Sequence, residues 1–315
     1  MSAIEKAPGV EVWRGGVNTW ECDDMGHMNV RFYVARAMEG LVGLAAELGM
    51  PQAFAPAANA TVLVREHHIR FLREARARAP LYMRGWVADM GETGARLMLV
   101  LYHSVTGEPA ATFQTLVEHV TPVDGRPFPW SMATRDRAAA LTAPVPEFAA
   151  ARSLSLDPFE SQASLARADA LGLVTIGAGA VSNQDCDVFG RMRAEQFIGR
   201  VSDGIPGLVN TNRAIVLSGL DAPPTNVGGA VLEYRLVHLA WPRVGDRVTI
   251  RSGLAGADHR TQRMVHWMLD PASGKAWGTS EAVAVTFDLD ARKIVPVSPK
   301  AQAELNAAAV KGLGL

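Results

Sequence analysis

An internal duplication constrains the fold of this chain more than any other feature. Glu21–Leu41 (ECDDMGHMNVRFYVARAMEGL) aligns without gaps with Asp185–Ile205 (DCDVFGRMRAEQFIGRVSDGI), at a shift of 164 positions from 21 to 185. Further along, Glu66–Thr112 matches Glu233–Thr279, at a shift of 167 positions from 66 to 233. Repeated blocks in the same order predict two copies of one structural unit within a single chain.

The length and composition agree with two folded units. The chain has 315 residues, of which 48% are hydrophobic and 20% charged, so it can bury a full-sized core. Domains of roughly 100–200 residues are usual, which suggests two. The stretch between the copies is rich in proline, alanine and charged residues. We therefore predict an N-terminal unit at 1–121, a linker at 122–171 and a C-terminal unit at 172–315.

Charge and hydropathy narrow the range of partners. A formal net charge of -1 and a sequence pI near 6.7 give no overall attraction to nucleic acid or to anionic membranes. No apolar run approaches the roughly 18 residues of a membrane span. The first ten residues, MSAIEKAPGV, lack the apolar core of a secretion signal. We predict a cytoplasmic protein without nucleic-acid or membrane partners, in which Cys22 and Cys186 are free thiols.

Hydrophobic periodicity predicts the same order of elements in both copies. In the first copy a short strand near Val10–Trp20 precedes Val30–Leu48, which is apolar around most of its helical wheel and predicts a nearly engulfed helix. Asn29 is a good N-cap and Gly49 a good C-terminal stop. Four runs of strand character follow, and the second copy repeats the pattern, with Pro206 expected to end or kink its helix early. This order predicts an α+β fold with two tandem units, each an antiparallel sheet wrapped around a long central helix.

The loop ahead of the first helix resembles a family signature. Asp23–Tyr33 (DDMGHMNVRFY) is similar to the D-x-x-G-H-x-N-N-x-x-Y motif of hotdog-fold thioesterases of the 4-hydroxybenzoyl-CoA type. Members of that family cleave acyl-CoA thioesters without a metal or an organic cofactor. The resemblance covers both copies, so it implies a tandem, double-hotdog chain that acts on acyl-CoA and needs no cofactor.

The resemblance also implies residue roles. Asp23 matches the catalytic aspartate, Gly26 and the following backbone match the oxyanion-binding turn, and Tyr33 matches the signature aromatic residue. Val30 departs from the motif, because it stands in place of the second asparagine.

In the second copy Asp187, Gly190 and Phe197 hold the corresponding places. Arg191 and Arg193 replace the signature histidine and asparagine. An arginine beside a carboxylate lowers its basicity, so we expect Arg191 to neutralise or reorient Asp187. Whether the second site is active stays open.

Physical chemistry supports the same reaction. Thioester hydrolysis needs a base or nucleophile near the carbonyl carbon and hydrogen-bond donors for the oxyanion. A carboxylate just before a glycine turn at a helix N-terminus provides both, because the free N–H groups and the helix dipole favour an anion there. Gly26 allows the backbone to come close to a ligand. Asp23 can attack as a nucleophile or activate water, and the sequence leaves both roles open.

Neighbouring polar residues also have structural interpretations. His27 is a base, an orienting residue or a turn histidine, and Asn29 is a helix cap as well as a candidate site residue. Cys22 is duplicated, but small buried thiols are usually packing residues. Glu66 and Glu233 lie amid apolar strand residues, which favours hydrogen-bonded structural acids over a second catalytic pair.

A cluster of arginines follows the second strand. The run from 65 to 79 holds five arginines against two glutamates. CoA carries several phosphate charges, and the planar guanidinium group binds phosphate well. A solvated strand edge and turn is the competing interpretation. We predict Arg73, Arg76 and Arg78 as candidate contacts to CoA.

Two other functions stay open beside acyl-CoA hydrolysis. An acyl-CoA hydratase or dehydratase needs a paired histidine and acid, and the second copy keeps the aspartate but loses the histidine. A non-catalytic acyl-CoA binder retains the pocket without the chemistry. The sequence has no Walker A loop, no G-x-S-x-G elbow and no H-E-x-x-H helix. The acyl group is not predictable. A homo-oligomer of tandem chains is a possible further assembly, with a stoichiometry that the sequence does not give.

Overall fold

The computed structural model describes residues 7–315, which form two compact units. The first unit comprises the chain up to residue 151 together with residues 186–195. The second comprises residues 152–185 and 196–315. The boundary between residues 151 and 152 falls inside the stretch expected to be a linker, whereas those at 185/186 and 195/196 lie within the second copy. The separation into 1–121, 122–171 and 172–315 stays a prediction.

The first unit has the predicted order of one strand, one long helix and four strands. Its elements are β1 (Val10–Gly16), α1 (Val30–Glu47), β2 (Thr61–Phe71), β3 (Pro80–Met90), β4 (Gly94–His103) and β5 (Pro109–Val120). The strands lie in the order β1-β3-β4-β5-β2, and each neighbouring pair is antiparallel. The predicted α+β architecture is therefore confirmed for this unit.

Helix α1 begins and ends where the sequence predicts. The Asn29 side chain accepts a hydrogen bond from the N–H of Arg31 at 3.0 Å and so caps the first turn. Gly49 follows the last turn with φ at +85°, a conformation that glycine adopts without strain. The helix packs closely on β1, because a Cβ at Gly43 would lie 2.2 Å from the carbonyl oxygen of Val12. One face of α1 is buried along its length: Tyr33, Val34, Ala37, Gly40, Leu41, Leu44 and Ala45.

The second unit repeats this order with a broken helix. Its elements are β6 (Val174–Ala180), α4 (Ala194–Gly204), α5 (Pro206–Ser218), β7 (Val227–His238), β8 (Arg247–Ala257), β9 (Gln262–Leu269), β10 (Ala276–Asp288), β11 (Lys293–Ile294) and α6 (Pro299–Ala308). The strands lie in the order β7-β10-β9-β8-β6, with β11 beside β10, and neighbours are antiparallel.

The break between α4 and α5 confirms the prediction made from Pro206. Proline has no N–H to donate and its ring clashes with the preceding turn, so a helix that reaches it ends or kinks. Helix α6 was not predicted from the sequence. Its buried residues Ala301 and Leu305 pack with Val216 of α5 and Leu254 of β8 in one hydrophobic cluster.

The stretch between the copies is ordered and hydrogen-bonded. It contains α2 (Met132–Ala140) and α3 (Leu165–Ala170). In the first unit the Gln114 side chain donates to the carbonyl oxygen of Ala149 at 2.8 Å. In the second unit the carboxylate of Glu233 accepts the N–H groups of Arg152 at 2.9 Å and Ser153 at 2.8 Å. Glu233 is therefore the hydrogen-bonded structural acid that the sequence favours.

Candidate active site

The loop between β1 and α1 forms a compact turn closed by its own backbone. The N–H of Asp23 donates to the carbonyl oxygen of His27 at 2.8 Å, and the N–H of Gly26 donates to the carbonyl oxygen of Asp23 at 3.0 Å. Gly26 has φ at +75°, which explains why a glycine is needed there. A side chain at Gly26 would meet nothing within 4 Å, so the surface above this turn is open.

The turn fixes the Asp23 carboxylate in one orientation. Asp23 is half-buried, and its Oδ1 accepts the N–H groups of Met25 and His27, both at 3.0 Å. Such bonds from an aspartate to the following backbone are typical turn chemistry. Oδ2 has no hydrogen-bond or ion-pair partner among residues 7–315. One oxygen therefore holds the turn, and the other stays available for a substrate or a water.

His27 lies beside a carboxylate that the sequence analysis did not single out. Its side chain is 10% exposed, and Nε2 lies 3.1 Å from Oε2 of Glu74. The ring is tilted so that the N–H is not aligned with the oxygen, which makes the contact a close charge–imidazole approach rather than a linear hydrogen bond. Glu74 belongs to the turn between β2 and β3, in the stretch interpreted as basic. The residue that corresponds to Glu74 in the second copy is Trp241. This difference between the copies is the sequence signal that could have identified Glu74.

Tyr33 connects α1 to the same turn. Its hydroxyl oxygen accepts the N–H of Ala75 at 3.1 Å, and its ring contacts Phe71 edge-on at a centroid distance of 5.3 Å. Burial raises the pKa of the Tyr33 hydroxyl above its ordinary value, so the group stays protonated at neutral pH. The carbonyl oxygen of Ala75 accepts the N–H of Met28 at 2.7 Å. The signature tyrosine thus positions the residues around Glu74.

Backbone donors near Asp23 differ in their availability. The N–H of Gly26, predicted to belong to an oxyanion-binding turn, is bonded within the turn. The N–H of Asn29 donates to the carbonyl oxygen of Glu21 at 2.8 Å. The N–H of Val30, the first residue of α1, has no acceptor among the described residues. An unbonded N–H at a helix start favours an anion.

The corresponding loop of the second copy has the same backbone. The N–H of Asp187 donates to the carbonyl oxygen of Arg191 at 2.7 Å, and the N–H of Gly190 donates to that of Asp187 at 3.0 Å. Gly190 has φ at +75°, as Gly26 does. Oδ1 of Asp187 accepts the N–H groups of Phe189 at 2.8 Å and Arg191 at 3.0 Å.

The two loops differ in what faces the second carboxylate oxygen. Nε of Arg191 lies 3.4 Å from Oδ2 of Asp187, and the Arg191 side chain is 6% exposed. The guanidinium group lies over the ring of Phe189, with its central carbon 4.9 Å from the ring centroid. Arg193, in the place of Asn29, pairs with Glu195 at 3.1 Å. The expected contact between Arg191 and Asp187 is therefore present.

The three predicted phosphate contacts lie on the turn between β2 and β3. Arg73 is paired with Glu108 at 2.6 Å, and Arg76 lies 4.0 Å from Glu74. Both side chains are more than half exposed. Arg78 is exposed and has φ at +70°. The role of these arginines as contacts to CoA stays a prediction.

The turn at Arg78 has an exact backbone counterpart at Gly245. The N–H of Arg78 donates to the carbonyl oxygen of Val17 at 2.8 Å, and that of Gly245 donates to the carbonyl oxygen of Val181 at 2.9 Å. Gly245 has φ at +90°, so the turn requires a left-handed residue in both copies. An L-residue there costs roughly 1–2 kcal/mol. The first copy has an arginine at this position. The second copy has a glycine, which adopts the conformation without strain.

Residues 7–315 contain neither a cluster suited to a metal ion nor a helix suited to a membrane. No group of three or more histidine, cysteine, aspartate or glutamate side chains is arranged to hold a metal ion. No helix in this part of the chain is long and apolar enough to cross a membrane. Cys22 and Cys186 are both free thiols.

Comparison with solved structures shows which folds this chain resembles. A protein described as an oleoyl thioesterase from Lactobacillus plantarum has a TM-score of 0.65 at 11% identity, over 86% of this chain and 94% of that one. An acyl-ACP thioesterase from Bacteroides thetaiotaomicron has a TM-score of 0.62 at 10% identity, over 86% and 96%. A 12:0-ACP thioesterase from Umbellularia californica has a TM-score of 0.64 at 11% identity, over 87% and 93%. At such identities the likeness concerns the fold.

The sequence itself decides the family. A search of curated proteins found no match. The family model described as the thioesterase-like superfamily matches the chain in two segments, residues 17–152 and 181–305. These segments include both signature loops, helix α1 and the broken helix α4–α5, so the family match and the tandem fold coincide. The chain belongs to the thioesterase-like superfamily and consists of two hotdog units in tandem.

Proposed function

We propose that this chain hydrolyses an acyl-CoA thioester to the free acid and CoA, with Asp23 as the acting carboxylate. The observation that carries the proposal is that the two oxygens of the Asp23 carboxylate have different surroundings. Oδ1 is fixed by two backbone N–H groups, while Oδ2 has no partner among the described residues. A carboxylate held in one orientation with one oxygen available suits either a nucleophile or a general base.

The reaction needs one new bond to the carbonyl carbon and loss of the sulfur. As a general base, Asp23 takes a proton from water while the water oxygen bonds to the carbonyl carbon, and the C–S bond then breaks with sulfur leaving as a thiolate. As a nucleophile, Oδ2 bonds to that carbon, the thiolate leaves, and water hydrolyses the resulting anhydride. In both cases the carbonyl oxygen becomes negative, and the N–H of Val30 at the start of α1 supports that charge.

We assign the weaker role to the second copy. Asp187 occupies the same turn, but its second oxygen lies 3.4 Å from the Arg191 guanidinium group. The guanidinium group therefore occupies the oxygen that corresponds to the available Oδ2 of Asp23. Asp187 and Gly190 remain candidate site residues in this proposal. We expect their loop to be less active than the first loop, which contains Asp23, Gly26, His27 and Asn29.

The proposal of CoA as the leaving group is supported by the turn that carries Arg78. Non-glycine residues in the left-handed region are uncommon and concentrate at functional sites. Gly245 shows that the same turn forms with a glycine. An arginine at a strained position, with an exposed side chain two residues after Arg76, which bridges to His27, suits a contact to a phosphate group. Arg76 is the second candidate, and Arg73 is already paired with Glu108.

The test is a panel of acyl-CoA thioesters assayed with a thiol-trapping dye. We expect release of free CoA and of the carboxylic acid in equal amounts. A parallel set of acyl-ACP substrates with the same acyl groups tests the leaving group. A kcat/KM that is higher for acyl-ACP throughout would overturn the choice of CoA, and hydration of an enoyl-CoA without thiol release would support the hydratase alternative.

A single turnover in ¹⁸O-labelled water separates the two roles of Asp23. If the carboxylate is the nucleophile, the label enters the Asp23 side chain when water attacks its carbonyl carbon, and the active-site peptide becomes heavier. Label in the loop peptide, detected by mass spectrometry, therefore establishes the nucleophilic role. Label in the product acid alone is expected for a general base, and also when water attacks the acyl carbon of the anhydride.

A further inference from the structure

We propose that Glu74 is a positioning residue for His27, and that this pair orients the water or substrate beside Asp23. The inference rests on the proposed function of the Asp23 loop. It assigns a working role to a carboxylate that lies on the turn between β2 and β3, 3.1 Å from Nε2 of His27. Glu74 acts through the imidazole and is not itself placed in contact with substrate.

Hydrogen bonds on the residue next to Glu74 fix its position. The N–H of Ala75 donates to the hydroxyl oxygen of Tyr33, and the carbonyl oxygen of Ala75 accepts the N–H of Met28. Ala75 is fully buried. The backbone of the turn is therefore held both to α1 and to the active loop, which places Glu74 beside the ring of His27, although its side chain is one-third exposed.

The second copy shows that the pair is not needed to form the fold. There the active-loop turn has the same hydrogen bonds and the same glycine conformation, although an arginine replaces His27 and Trp241 replaces Glu74. Trp241 stacks on His238 at a centroid distance of 4.5 Å, so its position is filled by packing. Because the same turn forms without a histidine–glutamate pair, stabilising the turn does not explain why the first copy has one.

The hydrogen bond that holds the Glu74 turn to α1 also differs between the copies. The Tyr33 hydroxyl and the Ala75 N–H that hold the Glu74 turn correspond to Phe197 and Pro242, which have neither group. The first copy thus has Glu74, its partner His27 and the Tyr33–Ala75 hydrogen bond that holds the turn. The second copy has none of these. We attribute this set to the chemistry of the first site.

The proximity of a carboxylate selects a tautomer of the imidazole. A carboxylate only accepts hydrogen bonds, so it favours the proton on Nε2 of His27 and leaves Nδ1 as an acceptor. Nδ1 is the ring nitrogen nearer the His27 backbone, whose N–H is bonded to Asp23. The ring can then accept a hydrogen bond from a water beside the Asp23 carboxylate. The imperfect alignment of the contact is expected to improve when substrate is bound.

The experiment replaces Glu74 by glutamine, which has nearly the same shape and no charge. Glu108→Gln is the matched control, because Glu108 is an exposed acid paired with Arg73 on the neighbouring surface. For Glu74→Gln we expect kcat to fall roughly 10- to 100-fold with KM and the melting temperature unchanged. Glu108→Gln should keep the kcat of the wild type.

Two further measurements distinguish positioning from a general structural effect. In the His27→Gln background, Glu74→Gln should cause no further loss of kcat, because its effect passes through the imidazole. Long-range ¹H–¹⁵N NMR, with the His27 signal assigned from its loss in His27→Gln, should show the Nε2–H tautomer in the wild type and a mixture in Glu74→Gln.

The outcomes separate this inference from the proposed function. A wild-type kcat in Glu74→Gln, additive losses in the double variant, or an unchanged tautomer would each overturn the role of Glu74. If no thioester is hydrolysed by the wild type, the proposed function fails, and the tautomer measurement still decides whether Glu74 orients His27.

Discussion

The loop Asp23–Asn29 and its copy Asp187–Arg193 share a backbone and differ in what surrounds their carboxylates. In the first loop the second aspartate oxygen has no partner among the described residues, and His27 faces Glu74 from the next turn. In the second loop Arg191 points back to its own aspartate. The comparison teaches that the residues common to both loops, including the aspartate and the glycine, form the turn. The side chains added around the turn determine its chemistry.

The comparison extends to the hydrogen bond between Tyr33 and Ala75. Phe197 and Pro242 occupy these places in the second copy, so the hydroxyl acceptor and the N–H donor have both been lost. Losing one partner alone leaves a buried polar group unsatisfied, whereas losing both leaves none. The second unit fills the space with aromatic contacts, in which Trp241 packs edge-on against Phe197 at 5.6 Å.

The largest effect is expected when the carboxylate of Asp23 in the first loop is removed. Asp23→Asn keeps the shape of the side chain and removes the base or nucleophile, so kcat should fall by about 10²–10⁴ if Asp23 is a general base. Asp187→Asn should reduce kcat far less, because Arg191 already neutralises that carboxylate. Steady-state hydrolysis by both single variants and the double variant measures the difference.

Asp24→Asn is the control for the first loop, because Asp24 is exposed and Val188 stands in its place in the copy. Melting temperatures exclude unfolding. If Asp23→Asn and Asp187→Asn each remove about half of the activity, both sites turn over and the assignment of a single working loop is wrong.

A second prediction transfers the arginine of the second loop into the first. His27→Arg should leave the turn folded, because Arg191 occupies the same place in an identical turn. Its guanidinium group should pair with Oδ2 of Asp23 and reduce kcat by about 10- to 100-fold. The measurement is kcat together with the melting temperature. An active His27→Arg variant would show that the pairing of Asp187 does not weaken the second site.

The third prediction concerns stability and the Tyr33 hydroxyl. Tyr33→Phe should lower the free energy of unfolding by about 1–3 kcal/mol, because the buried N–H of Ala75 loses its acceptor. Adding Ala75→Pro removes that N–H and should recover much of the loss. Urea unfolding of the single and double variants measures this. A double variant no more stable than Tyr33→Phe would contradict the explanation of Phe197 and Pro242 as a matched pair.

The smallest effect is expected at the strained turn. Arg78→Gly should raise the free energy of unfolding by less than about 1 kcal/mol, because relief of the left-handed strain is partly offset by the flexibility of glycine. The same change should raise KM for acyl-CoA up to about fivefold, as expected for one exposed charge pair. Arg78→Lys keeps both the strain and the charge and should change neither quantity much. An unchanged KM in Arg78→Gly would exclude a phosphate contact.

Much of the fold was predictable because its signals are local and repeated. Neighbouring residues determine the apolar face of α1, its Asn29 cap and its end at Gly49. The order of the strands was predicted twice, because both copies carry the same sequence pattern. Pro206 predicted the break between α4 and α5 for the same reason. The helix α6 was not predicted, because its burial depends on α5 and β8, which lie far away in the sequence.

The candidate site was predictable only in part. The motif points to Asp23 and His27, but it contains no information on a residue 47 positions further along the chain. Glu74 reaches His27 because β2 returns the chain to the active loop, and that return depends on the whole sheet. Nor does the sequence show that the N–H of Gly26 is already bonded within its own turn. These features depend on three-dimensional contacts that spacing alone does not encode.

The bonds between Glu233 and the stretch preceding β6 have a consequence for proteolysis. A proline- and alanine-rich connector that carried no such bonds would be a preferred site of cleavage. The N–H groups of Arg152 and Ser153 are both held by Glu233, so a trypsin-like protease can bind the peptide bond after Arg152 only once that carboxylate releases them. Cleavage there would measure local opening of the second unit. Resistance at Arg152 thus depends in part on a carboxylate 81 residues further along the chain.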